Sequence, residues 1–134
     1  KRIIHFLLFA ILAMTACTNK PNIRIEGSIH GAEKNYLYLD YLNINKTEAI
    51  DSVKIKKDGS FKFSFHSEYP GIYLLRNESG QIVTPAHPDE NLVISADYAK
   101  FSSSYSVSGS KESEYIRQLV EKLSDTRGKL SELN

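Results

Sequence analysis

The chain lacks tryptophan altogether and has one methionine and one cysteine, Cys17, in 134 residues. A lone cysteine excludes an internal disulfide and a Cys-x-x-Cys redox pair within this chain. There is no surplus of either charge sign: 17 Lys and Arg stand against 16 Asp and Glu, a formal charge of +1. Without a basic surplus to neutralise a phosphate backbone, nucleic acid is not an expected partner. Glycine-rich phosphate loops, a Gly-x-Ser-x-Gly elbow and helix-spaced histidine pairs are also missing. With them go the usual sequence signs of nucleotide, acyl-transfer and zinc chemistry, so no cofactor, no metal and no catalytic residue is expected here. The content of 41% hydrophobic and 25% charged residues is that of an ordinary folded domain, and the length allows one modest domain with appendages.

What is present begins with an apolar run. Lys1-Arg2 followed by residues 3–13, broken only by His5, reads as the charged and apolar regions of a secretory signal. The run is shorter than the ~20 apolar residues that span a bilayer as a helix. It closes on Ala13-Met14-Thr15-Ala16-Cys17, a lipobox-like ending with Met14 where Leu is usual. The expectation is cleavage before Cys17 and diacylation of its sulfur, giving a protein held to membrane lipid and facing the periplasm. Two acyl chains anchor stably where one does not. The plainer alternatives are an ordinary signal peptide with an incidental cysteine, or a buried apolar strand. Residues 1–16 are thus assigned to the signal, and residues 17–22 to the lipidated cysteine and a short polar tether. Loss of Lys1 and Arg2 with the signal leaves 15 basic against 16 acidic side chains.

From Ile23 the period is two, with Ile23, Ile25, Gly27 and Ile29 on one face. Tyr36, Tyr38 and Asp40 alternate with Leu37, Leu39 and Tyr41, so that strand has apolar character on both faces and belongs at the centre of a sheet. Asp51-Ser52 marks a possible bend. Next comes a hairpin around Lys57-Asp58-Gly59. A two-residue turn would put its apolar sets on opposite faces. A three-residue loop with Gly59 at positive φ instead sets Ile55 opposite Phe61 and Val53 opposite Phe63. Tyr69-Pro70-Gly71 breaks the chain before a strand over 71–76, and 77–80 turn it back into 81–83. Residues 84–91 read as the most irregular loop, Leu92, Ile94 and Ala96 alternate again, and 102–110 read as a last edge strand. Residues 23–109 therefore predict a mainly β domain, an antiparallel β-sandwich or open barrel. At Ser110 the period changes. Ile116, Leu119, Val120 and Leu123 line one face of a C-terminal amphipathic helix over 110–134, capped by Ser110, with Glu112 and Glu114 at its positive end. The pattern runs on to Leu133 without a stop signal, as a helix that leads into a further domain would.

Candidate sites are few. His87 with Asp89 and Glu90 is the one local cluster of metal-ligand types, and a solvated loop is the simpler account. Tyr36, Tyr38, Tyr41 and Tyr73 are plausible neighbours across strands. As a stacking platform, Tyr36, Tyr38 and Tyr73 would form a ligand-binding face; as structural residues they would make half-buried cross-strand pairs.

The order of these features carries a resemblance. A lipobox is followed by Ile25-x-Gly-x-Ile29, a Tyr-Leu-Tyr-Leu strand, and Asp51-Ser52 leading to Asp58-Gly59-Ser60-Phe61-x-Phe63. Pro70-Gly71-Ile72-Tyr73-Leu74, Asn91-Leu-Val-Ile-Ser95 and a Val107-Ser-Gly-Ser110 step into a helix come after. Over residues 22–134 this resembles the N-terminal domain of unknown function that precedes the thioredoxin-like domain in TlpA/AhpC-TSA-type lipoprotein thiol–disulfide oxidoreductases. The resemblance implies a non-catalytic accessory part whose helix leads to a thioredoxin-like domain bearing Trp-Cys-x-x-Cys. That domain is absent from this chain, so the chain itself is expected not to be an enzyme. The other reading is a stand-alone lipoprotein that binds through its Tyr-rich sheet face. The first predicts an uncovered apolar stripe on the helix, the second a helix packed fully on the sheet.

Overall fold

The computed structural model describes residues 19–32 and 35–133. Cys17 and the expected signal sequence lie outside them. The described residues form eight strands: β1 (Ile23–His30), β2 (Tyr36–Leu42), β3 (Thr47–Lys54), β4 (Ser60–Phe65), β5 (Gly71–Arg76), β6 (Gln81–Ala86), β7 (Asn91–Asp97) and β8 (Tyr105–Ser108). One helix, α1 (Lys111–Ser131), follows. The strands make two four-stranded sheets, ordered β4-β1-β7-β8 and β3-β2-β5-β6. Only β1 and β7 run parallel; the other pairs are antiparallel. The sandwich form of the expectation holds, with a C-terminal helix, and the sheets do not close into a barrel.

The alternation in β1 places Ile23, Ile25 and Ile29 in the core. Their neighbours are apolar on both sides: Ile23 pairs with Phe65 and Ile25 with Phe63 on β4, while Ile25 pairs with Leu92 and Ile29 with Ala96 on β7. β2 is interior in its sheet, as its two-sided apolar pattern predicts, with Leu37 and Leu39 buried towards the core.

The central hairpin is half as expected. The three-residue loop forms: the Lys56 N–H donates to Ser60 O at 3.0 Å, the Gly59 N–H to Lys56 O at 2.9 Å, and Gly59 has φ +84°. The expected ladder beyond it does not form. Val53 pairs with Leu37, Phe63 with Ile25, and the Ile55 N–H donates to Asn35 O at 2.8 Å. The chain switches sheets at this turn. Splitting the arms lets Val53 and the Phe61/Phe63 pair meet across the core from facing sheets, burying both apolar faces where a two-stranded ribbon would bury one.

Two smaller expectations are corrected as well. β6 continues through Pro85 to Ala86, so the irregular loop shrinks to residues 87–90. Proline is tolerated there because β6 is an edge strand. No bend interrupts β3 at Asp51-Ser52. The irregularity is one residue earlier, where Leu39 faces Asp51 but Asp40 faces Ala49, leaving Ile50 as a bulge.

The two seams of the sandwich differ. At one, the outer strands β6 and β8 are both packed by α1. Ser110 caps the helix, its Oγ accepting the Ser113 N–H at 3.4 Å. The hydroxyls of Ser110 and Ser113 both donate to Pro85 O, at 2.9 and 2.7 Å. The Arg117 Nε donates to Tyr105 O on β8. Helix side chains thus supply the donors that edge carbonyls lack. At the other seam the outer strands are β3 and β4, and no helix covers it among the described residues.

Candidate functional site

The expected tyrosine platform is not assembled. Tyr36 and Tyr38 are on the outer face of their sheet, 50% and 36% exposed, whereas Tyr73 is 2% exposed and sits in the core. The cause is register. Tyr38 pairs with Arg76, and Tyr73, an odd number of residues back along β5, points to the other face and pairs with Tyr41. On the outer face the Arg76 guanidinium lies 4.6 Å from the Tyr38 ring centroid and its Nε meets Asp40 Oδ2 at 2.5 Å. The hydrogen bond to Asp40 raises the Arg76 pKa further above its ordinary value. That bond explains how Asp40 can be buried. Sequence reasoning missed this trio, because its partners are 36 residues apart and pairing is not legible locally.

Tyr73 belongs instead to an aromatic group at the open seam. Its ring is 4.8 Å from that of Phe65 on β4 and 5.7 Å from that of Tyr41 on β2. The three rings, with the bulged Ile50, Glu48 and His66, line a cleft of about 280 Å³ between β3 and β4. Glu48 Oε1 receives Lys46 Nζ at 3.1 Å and Asn43 Nδ2 at 3.4 Å. The hydrogen bond from Lys46, then that from Asn43, hold the Glu48 carboxyl below its ordinary pKa. His66 Nδ1 is 3.0 Å from Lys20 O.

The loop carrying His87, Asp89 and Glu90 is joined to the start of α1. The His87 N–H donates to Glu90 Oε2 at 2.9 Å, and His87 Nε2 lies 3.4 Å from Glu112 Oε1. The Glu112 carboxyl is held low first by its own main-chain N–H at the helix start, then by His87. Among the described residues no three His, Cys, Asp or Glu side chains come together in a way that could hold a metal ion.

The helix has two faces. Ser113 is buried, and Ile116, Arg117 and Val120 are part-buried against the sandwich. At about 100° per residue, Tyr115, Leu119, Leu123 and Leu130 lie roughly a third of a turn round from that face. They are 66%, 53%, 53% and 57% exposed, and every residue from 121 to 131 is exposed. Lys111, Lys122 and Lys129 run along one border of this stripe, and Glu121 and Asp125 lie beyond them, on the side of the helix opposite the stripe. No helix among the described residues is long and apolar enough to cross a membrane.

These features define a small β-sandwich domain, sealed along one seam by the first turns of a helix whose remainder projects. The chain belongs to the family described as Domain of unknown function (DUF4369), which matches residues 23–115. That match takes in all eight strands and ends near the start of the helix. No curated protein matches the chain.

Proposed function

We propose that the chain is the non-catalytic, membrane-anchored part of a periplasmic lipoprotein, and that it positions a thioredoxin-like domain carried on its helix. One observation carries this reading: α1 leaves the sandwich after Val120 with its apolar stripe uncovered by any other described residue. An isolated helical half with an apolar face is marginal in water, and covering that face with a neighbouring domain would stabilise it. The lipobox-like ending at Cys17 and the order of motifs along the strands support the same reading. The alternative, a stand-alone binding module working through Tyr36, Tyr38 and Tyr73, is the weaker one, because Tyr73 is in the core.

The test is the reading frame past the codon for Asn134, together with fractionation of cells carrying Cys17→Ser. The proposal expects Trp-Cys-x-x-Cys in frame within about one further domain length, and release of the Cys17→Ser protein from the membrane fraction. An immediate stop codon contradicts the accessory role. An unchanged membrane fraction contradicts the lipid anchor.

A further inference from the structure

The open seam between β3 and β4 carries an inference independent of that role. We propose that its aromatic cleft binds an organic cation, an ammonium or guanidinium group on a short apolar stem.

The walls supply the apolar part. The Tyr73 ring lies 4.8 Å from that of Phe65 and 5.7 Å from that of Tyr41. It is buried beneath them, so the half-buried rings of Tyr41 and Phe65, with Ile50, form the exposed wall of the cleft of about 280 Å³. That volume suits a small ligand or a single side chain. Aromatic faces attract cations through their quadrupole. The rim carries the Glu48 carboxylate, already paired with the Lys46 ammonium, and the His66 ring. Both bonds to Glu48 fall on Oε1, from Lys46 and Asn43, which leaves Oε2 for another donor. A main-chain carbonyl can only accept, so the bond between His66 and Lys20 O puts the proton on Nδ1. In the neutral ring that tautomer leaves a lone pair on Nε2. The donor at Ser67 is already used, its N–H bonded to Asn22 Oδ1 at 2.9 Å. A carboxylate oxygen, an imidazole lone pair and π faces select a cationic donor over an anion or a neutral acceptor.

Backbone pairing of an added strand is the competing use of this seam, and β3 is poorly suited to it. Ile50 bulges, and the Asp51 carboxylate accepts the Ser52 N–H at 2.8 Å. Bulges and satisfied donors blunt an edge.

The test is an amide NMR titration of the whole chain. The probes are n-propylguanidinium and n-butylammonium, against n-pentanol and butyrate at matched ionic strength. The proposal expects saturable shifts at Ala49, Ile50 and Ser67 with the cations, and much weaker ones with the controls. Glu48→Gln should weaken cation binding about fivefold. Lys46→Ala should strengthen it by removing the resident competitor. Both sites are exposed, so neither variant threatens the fold. Equal binding of n-pentanol, no saturable shift with any probe, or an unchanged affinity in Glu48→Gln overturns the proposal. A blocked Ala-Arg-Ala peptide separates the sources within it. Tighter binding than the free cation points to a polypeptide side chain, and binding of the free cation alone points to a small molecule.

Discussion

A Cβ added at Gly27 would sit 1.7 Å from Ile94 O, because Gly27, at φ +155°, would turn its side chain edgewise into its register partner Ile94 on the neighbouring strand β7. The obstruction is main chain, which has no rotamer to escape into. Gly27→Ala is expected to prevent native folding, giving no cooperative transition in thermal unfolding followed by circular dichroism. Gly128 is the contrast: nothing lies within 4 Å of its added Cβ, and it sits inside the exposed half of α1. Gly128→Ala should stabilise that half by about 1 kcal/mol, seen as slower amide exchange in residues 121–131 with little change in the melting of the sandwich. Asp58 offers a pH test. The Ser60 hydroxyl at 2.6 Å and then its N–H at 2.9 Å hold the Asp58 carboxyl below its ordinary pKa. A depressed folded pKa contributes stability above the unfolded value and loses it as pH falls through the folded one. Carbon-detected NMR should show Asp58 titrating below a free aspartate, and Ser60→Ala should bring it back towards one.

At the scale of elements, the join between α1 and the sheet edges is made by a few hydrogen bonds. Ser110 and Ser113 converge on Pro85 O, and Ser110 is also the cap. Replacing both with Ala should cost about 2 kcal/mol in denaturant unfolding, more than either alone. Most elements were legible because burial imposes a period. Ile23, Ile25 and Ile29 announce β1, and the change from period two to 3.6 at Ser110 announces α1. Even Gly59 was legible, since only its positive φ closes the three-residue loop. What could not be read was partnership. Val53 and Phe63 have matching patterns whether they pair with each other or with Leu37 and Ile25. The choice is made by how both apolar faces are buried at once, a property of the whole sandwich. The same gap hid the cleft: Tyr41, Phe65 and Tyr73 come from three strands in two sheets, and adjacency between Tyr73 and Tyr38 in pattern concealed that they face opposite ways.

The whole molecule is asymmetric in a way that bears on its use. Among the described residues one seam is closed by the helix start, the other is open with an aromatic cleft, and the helix carries an apolar stripe away from both. The lysine border of Lys111, Lys122 and Lys129 disfavours self-pairing, since in an antiparallel pair of helices these rows would face each other. The stripe therefore suits a neighbouring surface with an acidic rim. Leu119→Ser with Leu123→Ser should leave the melting of the sandwich nearly unchanged, because both side chains are already solvated, while loosening any domain seated on the helix. The central claim is that α1 is a seat for a neighbouring domain. The most direct measurement is hydrogen–deuterium exchange in residues 121–131, compared between the full-length product of the natural gene and the chain of residues 1–134. The account predicts strong protection in the intact product and fast exchange in the chain alone. Equally fast exchange in both would contradict it.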